Sequence, residues 1–324
     1  MKGMNDFTRR EFLASSARFL AAAGTLSALP AAEKEEKPKL AVAIRDTHLR
    51  ETGEKDCWAI LKELGVDGVE LDVSDDFSLA SLIHPEQKYS IADDAAVEKL
   101  AADSRAANIR ITALCLHNRF DERLDFELNS IEKTARAAKA LGAKTIRIDV
   151  VPRKLSGEEF INLAIDAGKK LIAVTETTGV CLGVENHGNT TNDPEFLKKL
   201  FAGVGSQRLG LTLDTGNFYW FGHPLSKLYE LYEAFATRVH HTHVKSIKYP
   251  QASREKRRSM GWEYEKYNCP IYEGDIDFSR VIGILRKGGY SGDLCIEDES
   301  LSKAPAAQRR EILAKEVQHL KALA

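Results

Sequence analysis

Short apolar runs recur along this chain, and each is followed by a stretch of helical character. The runs are LAVAI (40–44), DGVELDV (67–73), RITALCLH (110–117), KTIRIDV (144–150), CLGVENH (181–187), RLGLTLD (208–214), RVHHTHVK (238–245) and DLCIED (293–298). Their length and β-branched content predict strands. Several intervening helices are expected to stop at a glycine, at Gly65, Gly142, Gly179 or Gly288. Asn192-Asp193-Pro194-Glu195 predicts a helix start, with a capping acid and a proline in the first turn. No Pro/Gly/Ser-rich linker interrupts the series. Eight strand–helix units without a break imply one α/β domain over residues 40–324, a parallel sheet closed into a (β/α)8 TIM barrel. A doubly wound open sheet is the structural alternative, but no Gly-rich phosphate loop follows the first strand.

The N-terminal residues break this pattern. Arg9 and Arg10 precede Phe12-Leu13, an apolar run from Phe19 to Leu29, and small residues ending at Ala31-Ala32. That order predicts a twin-arginine-type export signal over 1–32 and a periplasmic protein, with EKEEKPK as a solvated linker over 33–39. The run is well short of the ~18 apolar residues a membrane span needs. Leu29 or Pro30 at the −3 position makes a poor cleavage site, so a retained anchor stays open. Without residues 1–32 the chain has 42 basic against 46 acidic side chains, a formal charge of −4. That balance gives no reason to expect nucleic acid as a partner. Five cysteines, odd in number and sparse, do not form a disulfide framework; Cys115, Cys181 and Cys295 read as small buried side chains.

Carboxylates at the ends of apolar strands point to chemistry, because an acid seldom sits there without a partner. Glu185, Asp214, His243 and Glu297 end the fifth to eighth runs, and in a closed barrel those ends meet at one mouth. Three carboxylates and one imidazole predict a site for one divalent metal ion: Mn²⁺, Mg²⁺ or Co²⁺, with Zn²⁺ also admissible. Such a set leaves positions open for substrate oxygens. Further candidates for the mouth are His187, two residues past Glu185 on the same strand face, and Lys245, two past His243. Glu70 and His117, read as ending strands two and three, are expected to line the mouth. His241 is as readily a buried structural residue. Asn217 is expected to face the substrate. Trp220 and Trp262 offer an indole to a sugar face or simply pack their loops. The basic stretch 253–267 reads as solvated surface, with a lid or a subunit contact as alternatives.

GVDGVEL (66–71), GAKTIRID (142–149), LGVENHG (182–188), LGLTLDTGN (209–217), HTHVKS (241–246), YEGDIDF (272–278) and GGYSGDLCIEDE (288–299) together resemble the xylose isomerase-like barrel superfamily, the sugar phosphate isomerase/epimerase group. The resemblance covers most of residues 40–300 in order and spacing. It implies that Glu185, Asp214, His243 and Glu297 bind one divalent metal. It also implies that Glu185 and Glu297 face each other across a substrate and move a proton between adjacent carbons through an enediolate. Asn217 and Ser246 depart from the family's pattern, where a histidine and an acid are common.

The leading expectation is therefore a metal-dependent isomerase or epimerase of a sugar or keto-sugar. The alternatives are a lyase or dehydratase acting on keto-sugars or keto-inositols, and an exported barrel that binds a sugar without changing it. A metal-dependent endonuclease is disfavoured by the acidic chain. The oligomeric state, a homo-oligomer included, is left open by the sequence.

Overall fold

The computed structural model describes residues 39–324. The proposed signal at 1–32 and nearly all of the 33–39 linker lie outside the described residues. All eight expected strands form, β1 shifted by one residue and the others slightly shorter than their runs: β1 Ala41–Arg45, β2 Gly68–Asp72, β3 Arg110–Cys115, β4 Thr145–Ile148, β5 Cys181–Glu185, β6 Leu209–Asp214, β7 Val239–Val244 and β8 Asp293–Ile296. They pair in parallel in the ring β1-β8-β7-β6-β5-β4-β3-β2, which is closed. The eight principal helices are α1 Cys57–Leu64, α2 Asp94–Ala107, α3 Phe120–Leu141, α4 Gly157–Val174, α5 Pro194–Val204, α6 Leu225–Phe235, α7 Phe278–Lys287 and α8 Ala306–Leu323. The expected TIM barrel is the observed fold.

Strand alternation sorts the side chains into two environments. In β5, Leu182 and Val184 turn to the helices and are fully buried, while Gly183 and Glu185 turn to the barrel axis. The same division holds in β1 (Val42, Ile44) and β2 (Val69, Leu71). The main apolar core therefore lies between sheet and helices. The upper axis is filled by polar side chains.

Local signals act as expected at most helix ends. Asp193 caps α5, accepting from the Glu195 amide at 3.0 Å, with Pro194 in the first turn. Gly142 ends α3 in the left-handed conformation, φ 78°. Gly288 does not play that part at α7: its φ is −72°, and the left-handed residue is Gly289 at 86°. A Cβ on Gly288 would lie 2.6 Å from that of Ala236, so this glycine is there for close packing.

The ring closes between the first and last strands, with Val42 opposite Leu294 and Ile44 opposite Ile296. Helix α8 seals this seam. Its Leu313, Val317 and Leu320 are buried, and Arg310 reaches Glu63 and Glu54 at 3.2 and 3.4 Å. Glu316 of the same helix accepts from the Ile271 amide at 2.8 Å.

Candidate metal centre

Register brings the four predicted ligands to one level. Asp214 stands directly opposite His243 across the β6–β7 ladder, and Glu297 follows β8 with its amide donating to Val244 at 3.0 Å. One donor atom from each of Glu185, Asp214, His243 and Glu297 lies within 4.8 Å of the others, and all four residues are buried. Two bonds of about 2.1 Å reach across about 4.2 Å, so a single ion fits such a set with a small inward movement of the side chains. His243 sits completely buried, its Nδ1 3.5 Å from Glu185 Oε2 and 3.4 Å from Glu297 Oε2.

Each ligand is held from behind. Asp214 Oδ1 accepts from the Gly216 and Asn217 amides at 2.8 and 2.9 Å. Asn186 clamps the Asp214 backbone on both sides, accepting from its amide at 2.8 Å and donating to its carbonyl at 2.9 Å. Glu185 accepts from Arg147 Nε at 2.5 Å and from Asn217 Nδ2 at 3.1 Å. Glu297 pairs with Arg45. His243 contacts Glu70 through Nε2 at 2.7 Å, which leaves Nδ1 facing the centre. Lys245 passes over Gly216, where a Cβ would meet its chain at 2.7 Å. Its Nζ reaches Asp214 Oδ2 at 2.9 Å, Glu297 Oε2 at 3.4 Å and Glu299 Oε1 at 2.5 Å.

The residues fit a divalent ion on three counts. Asp214 Oδ2 and His243 Nδ1 are buried and make no hydrogen bond; Lys245 is near the former but out of line for one. Burial pushes the Asp214 carboxyl well up, and the adjacent Glu297 and Glu185 add to this against Lys245. Burial would also raise Glu185, but Arg147 and His243 outweigh it and hold that carboxyl below the usual range. Three carboxylates crowded around one imidazole are what a dication stabilises. The donor set, three oxygens and one nitrogen, suits a hard or borderline metal.

The other predicted site residues divide. Lys245 belongs to the centre, and Asn217 touches Glu185. His117 is half-exposed, with Nε2 2.6 Å from Asp72 Oδ1 and Nδ1 3.6 Å from Asp149 Oδ2. Those two carboxylates raise its imidazole to about 9. His187 is also half-exposed, 3.9 Å from Asp149. Glu70 needs correction: it lies mid-strand, completely buried below the mouth, with Oε2 bridging His241 Nε2 (2.6 Å) and His243 Nε2 (2.7 Å). His241 continues that column to Asp293 Oδ1 at 2.8 Å. Trp220 packs beside Gly261, and Trp262 against Tyr249 and Tyr267, so both indoles help to fold the loop after β7. In that loop Arg258 is buried between the Tyr219 and Tyr249 rings, 4.5 and 4.3 Å from their centroids, contrary to a wholly solvated basic stretch. All five cysteines are free, and Cys181 is only partly buried. Among the described residues, no helix is long and apolar enough to cross a membrane.

Sequence reasoning missed Arg45, Arg147, Asp72, Asp149, Asn186 and Glu299. A signal existed for Arg147: an arginine between two isoleucines in KTIRIDV shares the strand face of Asp149.

Comparison with known proteins agrees with the fold. An inosose dehydratase from Clostridium perfringens is 27% identical over 150 residues, 45% of this chain and 49% of that protein; the match thus spans about half of the relative's length. A structure described as IOLI protein with a binding zinc atom superposes with a TM-score of 0.65 at 18% identity, covering 87% of this chain and 98% of that one. A xylose isomerase-like TIM barrel protein from Mycobacterium smegmatis in complex with magnesium gives 0.62 at 16%, covering 88% and 98%. At these identities the two structures establish the fold alone. The family model described as xylose isomerase-like TIM barrel matches residues 58–323, so the chain belongs to the xylose isomerase-like TIM barrel family.

Proposed function

We propose that this protein is a metal-dependent isomerase or epimerase that moves a proton next to the carbonyl of a sugar-like substrate. The observation that carries this is that Glu185 and Glu297 both reach His243 Nδ1, at 3.5 and 3.4 Å, each paired with its own arginine. Glu185, Asp214, His243 and Glu297 would hold a divalent ion, which would supply positive charge where a substrate carbonyl gains electron density. Against burial, Arg147 and His243 for Glu185, and Lys245, His243 and then Arg45 for Glu297, hold both carboxyls below their usual range, in the proton-accepting form. Asn217 Nδ2 orients Glu185 through its Oε1. One glutamate takes the proton from carbon, and the other returns one to the adjacent carbon in isomerisation or to the opposite face of the same carbon in epimerisation.

Elimination is the second reading. His117 favours it: the imidazole sits on the β3 side of the ring, across the mouth from β7, and is held protonated between two acids. A protonated group there suits the departure of a hydroxyl. The similarity to an inosose dehydratase supports it too. The export reading of residues 1–32 is part of the proposal. It predicts retention in the cytoplasm when Arg9 and Arg10 are both changed to lysine.

The test is metal content and exchange chemistry. Purified protein should carry about one Mn, Co, Mg or Zn per chain, lost in Glu185→Ala and His243→Ala. Solvent deuterium should enter substrate carbon, and Glu185→Gln and Glu297→Gln should abolish this. An ultraviolet-absorbing unsaturated product would assign the lyase. No bound metal and no thermal stabilisation by any of the four ions would reduce the protein to a sugar-binding barrel.

A further inference from the structure

The cations around the centre share a pattern. Arg147 pairs with the ligand Glu185, and its Nη1 also lies 3.0 Å from Asp149 Oδ2. Arg45 pairs with the ligand Glu297, and also lies 3.6 Å from Glu70 and 3.7 Å from Asp72. Lys245 contacts the ligands Asp214 and Glu297, and also Glu299 at 2.5 Å. Every cation touching a ligand carboxylate thus has a second carboxylate that is not a ligand. Filling the four ligands' coordination leaves none of the three without an anion. His117, facing the mouth from β3, is likewise held between Asp72 and Asp149.

Resting on the function proposed above, we infer that the site takes an uncharged polyhydroxy carbonyl compound and rejects phosphorylated or carboxylated ones. Apart from the metal itself, an anionic group reaching the ligands meets Asp72, Asp149 and Glu299, and the three cations that touch the ligands are already paired with acids. A buried charge without a partner is strongly disfavoured. The three outer acids act as built-in competitors that occupy the basic groups, so the selectivity is against a class of ligand as much as for one. Tyr264 reinforces the outermost pair by bonding Glu299 Oε2 at 2.6 Å.

Two polyols with one carbon skeleton test this by calorimetry on the Mg²⁺-loaded full chain: D-glucitol and D-glucitol 6-phosphate. The wild type should prefer the neutral polyol by at least ~10-fold. Asp149→Asn and Glu299→Gln, which free Arg147 and Lys245, should each shift the preference toward the phosphate by about the same factor. Tighter binding of the phosphate by the wild type overturns the inference. So does the absence of a phosphate gain in both variants, whatever the wild type binds. Metal content, measured on the same samples, separates the two levels. Protein without metal refutes the metalloenzyme, whereas metal-loaded protein that prefers the phosphate refutes only the substrate class.

Discussion

Glu70→Gln probes the centre from beneath, at a residue that touches no solvent. Glu70 Oε2 contacts two imidazole nitrogens, and Oε1 lies 3.6 Å from Arg45 Nε. Burial alone would raise this carboxyl, but His243 and His241 hold it well below the usual range, so it is ionised. Glutamine keeps the shape and loses the charge. If its amide oxygen faces the imidazoles, the NH2 group meets Arg45; turned over, it meets the imidazole N–H groups. Either way a donor opposes a donor. Two charge-assisted bonds of about 1.5–3 kcal/mol each fall to ordinary bonds of about 0.5–1.5 kcal/mol, a loss of about 2–3 kcal/mol in all. The mismatched donor brings the total to about 3–4 kcal/mol. For a domain of this size that lowers Tm by about 5–7 °C. Loss of the group that orients His243 should also weaken metal binding by about 10–100-fold. Urea unfolding in chelator isolates the first effect, and calorimetric titration of the chelated protein with Zn²⁺ the second. A variant within ~0.5 kcal/mol of wild type, binding Zn²⁺ equally well, would refute the column as a support for His243.

Three other outcomes can be checked independently. Arg258→Met should increase hydrogen exchange across 251–267 by the equivalent of about 3 kcal/mol, because Arg258 donates to the carbonyls of Ser253, Lys256, Tyr219 and His223 besides lying between two tyrosine rings. Unchanged exchange would mean that the loop is held by its tryptophans alone. Tyr89→Phe should cost about 1–2 kcal/mol in urea unfolding, since the hydroxyl accepts from Trp58 at 2.7 Å and donates to Asp103 at 2.8 Å. For His223, burial and then Arg257 and Lys227 lower the imidazole to about 4 from an ordinary 6.5. The unfolded chain therefore binds the proton first: stability from this group is complete above pH 6.5 and is lost as pH falls toward 4. His223→Phe should show a shallower loss between pH 7 and pH 5; an identical slope would show that the group does not contribute.

Much of this architecture was legible in the residue pattern, for a physical reason. Strands of a parallel barrel are covered on both faces, so most read as largely apolar runs, and all eight were recognisable even though β7, VHHTHV, is mostly polar. Glu185, Asp214, His243 and Glu297 stood out as polar endings to such runs. What strand position does not encode is depth. Barrel strands are staggered, so Glu70, read as a strand ending, lies two residues before the end of β2 and meets His243 through Nε2, while Glu185 faces its Nδ1. Arg45 falls just past its apolar run, and the partners of Arg45 and Arg147, Glu297 and Glu185, are brought to them only by the closed barrel. Arg258 was masked by its exposed basic neighbours. Only the folded loop shows that this one guanidinium turns inward to the aromatic rings.

The seam between β1 and β8 has a consequence for how the chain is made. β1 is the first strand synthesised and β8 the last, so β1 keeps one open edge through the production of some 250 further residues. Helix α8, which covers the seam, emerges later still. Until then both edges offer unpaired backbone groups to any neighbouring chain. The interval between release of β1 and arrival of α8 is thus when this protein is most exposed to aggregation, and a chaperone acting on it would have to protect the N-terminal strand for nearly the whole of translation.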